Sequence, residues 1–214
     1  MTARLASIQV GRIMPLGADA VPSAFIKRAV TGSVGVGALG LDGDAQADLT
    51  VHGGPEKAVY GYAADHYPAW AGDFPTLAAR FQPGSMGENL TITDVREDDI
   101  CVGDVHAIGT ALLQICQPRQ PCFKLALAMG EPRLGKAMVR NGRSGWYYRV
   151  LRGGTMAADD EIRLVERPNP DFAFSRLVTI VNLGGASVVE MRAMAEMPGI
   201  ASRIAAKARA ALSN

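Results

Sequence analysis

Glycine and proline recur so often through residues 1–167 that no long helix has room to form, and this constrains the fold more than any other feature. Proline fixes φ and removes a backbone donor, and glycine weakens regular structure, so the chain is cut into short segments. Those segments read as strands. Residues 6–10, 57–62 and 89–93 alternate apolar and polar side chains. In the last of these, Leu90 and Ile92 fall on one face, Thr91 and Thr93 on the other. Residues 104–108 and 111–116 form a pair around the turn Gly109-Thr110, and residues 146–151 and 161–165 supply two more strands. Many short strands at this spacing argue for a barrel or sandwich rather than a doubly wound sheet. Helices are expected only at residues 63–71 and 125–139 in this part of the chain.

At Arg167-Pro-Asn-Pro170 the character changes. The rest of the chain reads as helix only, which sets a β domain at 1–167 and a small three-helix domain at 168–214. Ser175 is placed to cap the first helix. Ser187 with Glu190 three residues on forms a capping box for the second. Pro198-Gly199 breaks the chain before an Ala-rich third helix. Helices this short bury little alone, so they are expected to dock on the β domain or against a second subunit in a homodimer.

Hydrophobic residues make up 48% of the chain and charged residues 20%, which fits a soluble protein with a real core. With 22 basic against 21 acidic residues the charge balance excludes a nucleic-acid-binding surface, so an anion site must be a local cluster. No apolar run approaches the ~20 residues that span a bilayer, and residues 1–10 do not resemble a signal peptide. Three cysteines, with no C-x-x-C spacing, suit a reducing, cytoplasmic setting.

Several motifs carry less than their letters suggest. Gly35-Val-Gly-Ala-Leu-Gly40 matches a dinucleotide fingerprint, but Leu41-Asp-Gly-Asp44 stands where a helix is required. It reads as a glycine-rich strand and turn. Asp42, Asp44 and Asp48 lack calcium-loop spacing, because the twelfth position is Gly53. They read as turn residues, one of which can orient a cationic neighbour. His52, His66 and His106 are not at metal-ligand spacing. His106 reads as structural and His66 as partly exposed.

Cys101 and Cys116 lie within strands and read as packing residues. Cys122 differs. Pro118 and Pro121 carry the chain out of the sheet as a stiff loop, and a helix-compatible stretch starts at Phe123. A thiol at that point, flanked by Arg119 and Lys124, has thiolate character and is either a reactive group or a buried structural one. His52, in His52-Gly-Gly-Pro55, either caps the next strand or stands accessible as a proton donor. Lys27, Arg28, Arg143, Arg149 and Arg152 are basic residues that a small barrel can gather in one pocket, where arginine suits phosphate.

Seven segments taken in order, Leu39-Gly-Leu-Asp-Gly-Asp44 with Asp48, Val51-His-Gly-Gly-Pro-Glu-Lys-Ala58, His66-Tyr67, Gly87-Glu-Asn-Leu90, Gly103-Asp104, Gln117-Pro-Arg-Gln-Pro-Cys122 and Gly145-Trp146-Tyr147, resemble the MOSC domain family. The resemblance runs from about residue 5 to Glu166 and is strongest to the stand-alone bacterial branch associated with resistance to 6-N-hydroxylaminopurine. It implies a MOSC-type β-barrel with peripheral helices, followed by a small all-α appendage. It also implies a molybdenum cofactor of the pterin type, molybdopterin, with Cys122 as the molybdenum ligand. Lys27, with Arg28 or Arg143, would hold the cofactor phosphate, and Asn89 and Arg119 would line the same pocket. The implied activity is reduction of N-hydroxylated bases to amines, with His52 as proton donor and a separate electron-donor reductase as partner. Sulfur transfer through a Cys122 persulfide and non-catalytic cofactor binding are the alternatives. Pyridoxal phosphate belongs to the separate sulfurase domain of larger relatives and is not expected here.

Overall fold

The computed structural model describes residues 3–49 and 52–213, so Val51 of the histidine motif lies outside the described residues. The chain opens with β1 (Arg4–Val10), β2 (Met14–Leu16), β3 (Val21–Ser23), β4 (Arg28–Val30), β5 (Val34–Gly37) and β6 (Gly40–Leu41). Then come β7 (Val59–Ala63), helix α1 (Tyr67–Asp73), β8 (Leu90–Thr93), β9 (Val105–Ile108) and β10 (Ala111–Pro118). Helices α2 (Phe123–Met129) and α3 (Leu134–Asn141) precede β11 (Trp146–Arg152), β12 (Gly154–Met156) and β13 (Ile162–Glu166). Three helices close the chain: α4 (Phe174–Leu183), α5 (Val188–Glu196) and α6 (Ser202–Leu212).

Eight strands form one mixed sheet in the order β13-β9-β10-β11-β7-β8-β1-β4, with β7 and β8 parallel and the other pairs antiparallel. The expected barrel is not a continuous ladder. β1 meets the segment before β13 through one bridge, Arg4 to Glu161, and through the Leu5 N–H donating to the Asp160 carbonyl. β5, β6 and β12 form a separate small sheet. Gly35 and Gly40 therefore lie in a strand and turn, not at a nucleotide-binding helix.

The central strands are buried on both faces, which blurs the alternation read from sequence. Every residue of β7 is buried. Thr91 is also buried, its hydroxyl hydrogen-bonded to Glu88 and accepting from Gln9. One apolar cluster fills the inside of the sheet and extends into the C-terminal helices, joining Leu113, Ile115 and Trp146 to Phe174, Leu177 and Met194. Trp146 and Phe174 meet edge to face at 6.5 Å. Side chains of this size contribute about 1.5–3 kcal/mol each when fully buried, so α4–α6 are fixed to the sheet by a shared core. A second cluster, with Tyr62, Trp70, Leu125 and Met138, lies under α1–α3.

The capping box at Ser187 and Glu190 is present, and Glu190 also pairs with Arg176. Ser175 lies inside α4 rather than capping it; Ala173 holds that position. The helix expected at 63–71 starts later, because residue 63 still belongs to β7. The single helix expected at 125–139 is two helices. Gly130 takes the left-handed conformation (φ 64°), which ends α2 and lets α3 start after a turn. No single helix is long and apolar enough to cross a membrane.

Candidate functional site

β10 continues to Pro118, which faces Trp146 of β11, so the chain leaves the sheet at Arg119. Gly145 takes a positive φ (64°) beside this exit, and its carbonyl accepts the Arg119 N–H at 3.4 Å. Cys122 comes next in extended conformation (φ −112°, ψ 163°), immediately before α2. The two prolines thus set the direction of the chain that carries the thiol.

Cys122 opens into a cavity of about 90 Å³ that Lys27, Asp44, His52, Asn89 and Arg119 also line. Burial raises the thiol pKa, but a hydrogen bond with His52, the Arg119 charge and the Lys124 backbone N–H outweigh it. The result is a thiol lowered to about 7. Cys116 is the opposite case: burial in β10 pushes it up to about 12. Of the three free cysteines, only Cys122 is not fully buried.

Asp44 organises one wall. Its carboxylate pairs with the Lys27 ammonium and accepts from the Gly11 N–H at 2.6 Å and the Asn89 side-chain amide at 2.9 Å. The pKa of Lys27 is lowered, chiefly by burial, and the Asp44 charge opposes that shift. Asn89 accepts from the Tyr60 N–H at 3.1 Å and donates to the Gln9 carbonyl at 3.2 Å, tying this wall to β7 and β1.

Arg119 forms the other wall. Its guanidinium is buried, lies 5.3 Å from the Tyr60 ring centre and 5.6 Å from that of Phe25, and pairs with no carboxylate among the described residues. A buried cation without an acid beside it is costly unless an anion meets it. The Cys122 thiolate is one such anion. Burial raises the pKa values of Tyr60 and Tyr147, so both phenols stay protonated and can donate hydrogen bonds.

The structure therefore brings Cys122, His52, Lys27, Asn89 and Arg119 together. It does not bring the other expected arginines. Arg28 is exposed on β4 and is not part of this cavity wall. Arg143 pairs with Asp73 at 2.6 Å over the Trp70 ring, on a different depression. Arg149 pairs with Glu56 at 2.7 Å, and Arg152 is exposed, donating to the Thr110 carbonyl. Acidic partners distant in sequence hold Arg143 and Arg149 elsewhere.

Lys57, Lys124, Tyr60 and Tyr147 also line the cavity; the sequence marked Lys124 only as a cation beside Cys122 and gave none of the four a place in the pocket. Strand pattern could have found the two tyrosines, since Tyr60 and Tyr147 face each other across β7 and β11. His66 is buried rather than exposed, held at 2.6 Å by Glu97. His106 is structural as expected, bonded to the Tyr148 hydroxyl at 2.9 Å.

A second cavity of about 370 Å³ adjoins the first and shares His52, Lys57 and Tyr147 with it. Its far wall is built from α4–α6. Among the described residues no cluster of three or more His, Cys, Asp or Glu side chains could hold a bare metal ion.

Comparison with known proteins matches residues 48–163 to the MOSC domain model. A protein named Reductase from Gibberella moniliformis is 35% identical over 91% of this chain, which spans 35% of that longer protein. Protein YiiM of Escherichia coli is 40% identical over 68% of this chain and 65% of its own length. The crystal structure of YiiM from Geobacillus stearothermophilus superposes with a TM-score of 0.82 at 31% identity, covering 98% of this chain and 99% of that one. On the matched family model and these relatives, the chain belongs to the MOSC domain family.

Proposed function

We propose that this chain is a molybdenum-cofactor-dependent oxidoreductase that reduces N-hydroxylated bases and related compounds to the amine and water. The observation that carries the proposal is Cys122, a thiol lowered to about 7 in a cavity whose buried cation, Arg119, has no carboxylate partner among the described residues. The relative named Reductase supports the reaction class.

The residues present fit such a cofactor. One soft thiolate with no surrounding ligand cluster among the described residues suits a metal that arrives already held by an organic group, rather than a bare ion. Cys122 would be the protein ligand to molybdenum, and Lys27 with Lys124 would hold the pterin phosphate. When bound, the cofactor supplies a two-electron redox centre with affinity for oxygen.

The chain's own groups do the rest. The His52 hydrogen bond and the Arg119 charge favour the thiolate form of Cys122. Asp44 and Asn89 fix the Lys27 ammonium. His52, which faces Cys122, delivers a proton to the oxygen that leaves the substrate nitrogen. Two electrons and two protons enter per N–O bond broken, and a separate electron-donor reductase is proposed to supply the electrons.

Cofactor-loaded protein supplied with electrons should convert 6-N-hydroxylaminopurine to adenine, and Cys122→Ser should abolish this. Unchanged substrate with loaded wild type would overturn the proposal. A labile sulfane sulfur on Cys122, without metal, would instead support sulfur transfer.

A further inference from the structure

Helix α6 places Arg203 and Lys207 four residues apart, on one stripe of its surface. Like charges at that spacing repel. Both face the second cavity, and across it stands Lys57, whose ammonium is lowered first by burial and then by the charge of Arg203. Neither Arg203 nor Lys207 has an ion-pair partner among the described residues. No aspartate or glutamate among the described residues lines the cavity. Glu56 is engaged by Arg149 and by the Ser202 hydroxyl and N–H. The fold gains no stability from setting Arg203 and Lys207 side by side; a bound anion would offset their repulsion.

The remaining wall is of another kind. Met191 and Ile204 supply apolar surface, and the Tyr147 ring stands at the junction with the Cys122 cavity. Sulfur and aromatic groups of this type favour a flat ring. The cavity thus offers the Tyr147 ring at the end nearest the thiol and, on α6, two cations beside Ile204, which matches a ligand that is aromatic at one end and anionic at the other.

We infer that this second cavity is the substrate site and that the substrate it selects is a nucleotide, with its base beside His52 and its phosphate on Arg203 and Lys207. The inference rests on the reductase reading for the chemistry, and on the cavity alone for the binding. A phosphorylated N-hydroxylated base is then preferred over the free base.

The test is equilibrium binding to the purified protein of adenosine 5′-monophosphate, adenine and inorganic phosphate, for wild type and for Arg203→Gln/Lys207→Gln. Both residues are exposed on the helix, so the fold should tolerate the change. Adenosine 5′-monophosphate should bind at least tenfold tighter than adenine or phosphate. The double variant should lose about that tenfold and leave adenine binding unchanged. Equal binding of nucleotide and phosphate would overturn the inference, as would nucleotide binding indifferent to the double substitution. Neither result depends on turnover, so a failed reductase assay and a failed nucleotide site are told apart.

Discussion

The Arg119 guanidinium lies buried over the Tyr60 ring at 5.3 Å, and its charge favours the anionic form of the Cys122 thiol. The sheet exit at Pro118 and the turn at Gly145 put it there. This relationship connects the fold to the chemistry of the site.

Alkylation of Cys122 should therefore follow a titration centred near pH 7, while Cys116 stays unlabelled in the folded protein. In Arg119→Met the midpoint should move up by about one unit or more, the usual effect of removing a neighbouring opposite charge. Mass spectrometry after timed iodoacetamide labelling reads both. An unmoved midpoint would show that Arg119 does not set the thiolate.

Asp44→Ala should destabilise the fold by roughly 3 kcal/mol, because it leaves the Lys27 side chain, only 7% exposed, without its anion. It also strips the Gly11 N–H and the Asn89 amide of an acceptor. Urea denaturation measures this. A loss below about 1 kcal/mol would mean that Lys27 finds another partner or reaches solvent.

His106 is lowered to about 4, mainly by burial. An unfolded histidine titrates near 6.5, so below that pH the unfolded chain takes up a proton that the folded chain refuses. The stability this neutral histidine preserves is complete above about pH 6.5 and is lost as pH falls toward 4, by up to roughly 3 kcal/mol. His106→Gln should flatten that part of the pH–stability curve. An identical slope in the two proteins would contradict the assignment.

Gly145→Ala should disturb the site from below. Its φ is positive, and an added Cβ would come within 2.4 Å of the Gly61 carbonyl oxygen. Backbone must then shift between β7 and β11, where Arg119 is anchored. The expected result is a loss of about 2 kcal/mol or more together with a raised Cys122 midpoint. Unchanged stability would show that the turn relaxes freely.

Local sequence carried the elements that local physics controls. Alternation placed β1 and β8, and turn residues placed β9 and β13, to within a residue or two, and the capping box placed α5. The stiff segment before Cys122 marked the thiol, because two prolines limit the backbone whatever surrounds it. The features that sequence obscured depend on distant partners. Arg143 and Arg149 looked like pocket residues until Asp73 and Glu56 claimed them. His66 looked exposed, and only the fold brings Glu97 against it. Asp44 could be read as orienting some cation, but not that the cation is Lys27.

The proposed role of Cys122 is to hold molybdenum. Metal content of protein produced in a cofactor-synthesising host, compared with Cys122→Ser of matched circular dichroism, tests it most directly. Wild type should hold close to one molybdenum per chain, and the variant should lose most of it. Equal molybdenum in both proteins, or none in either, would contradict it.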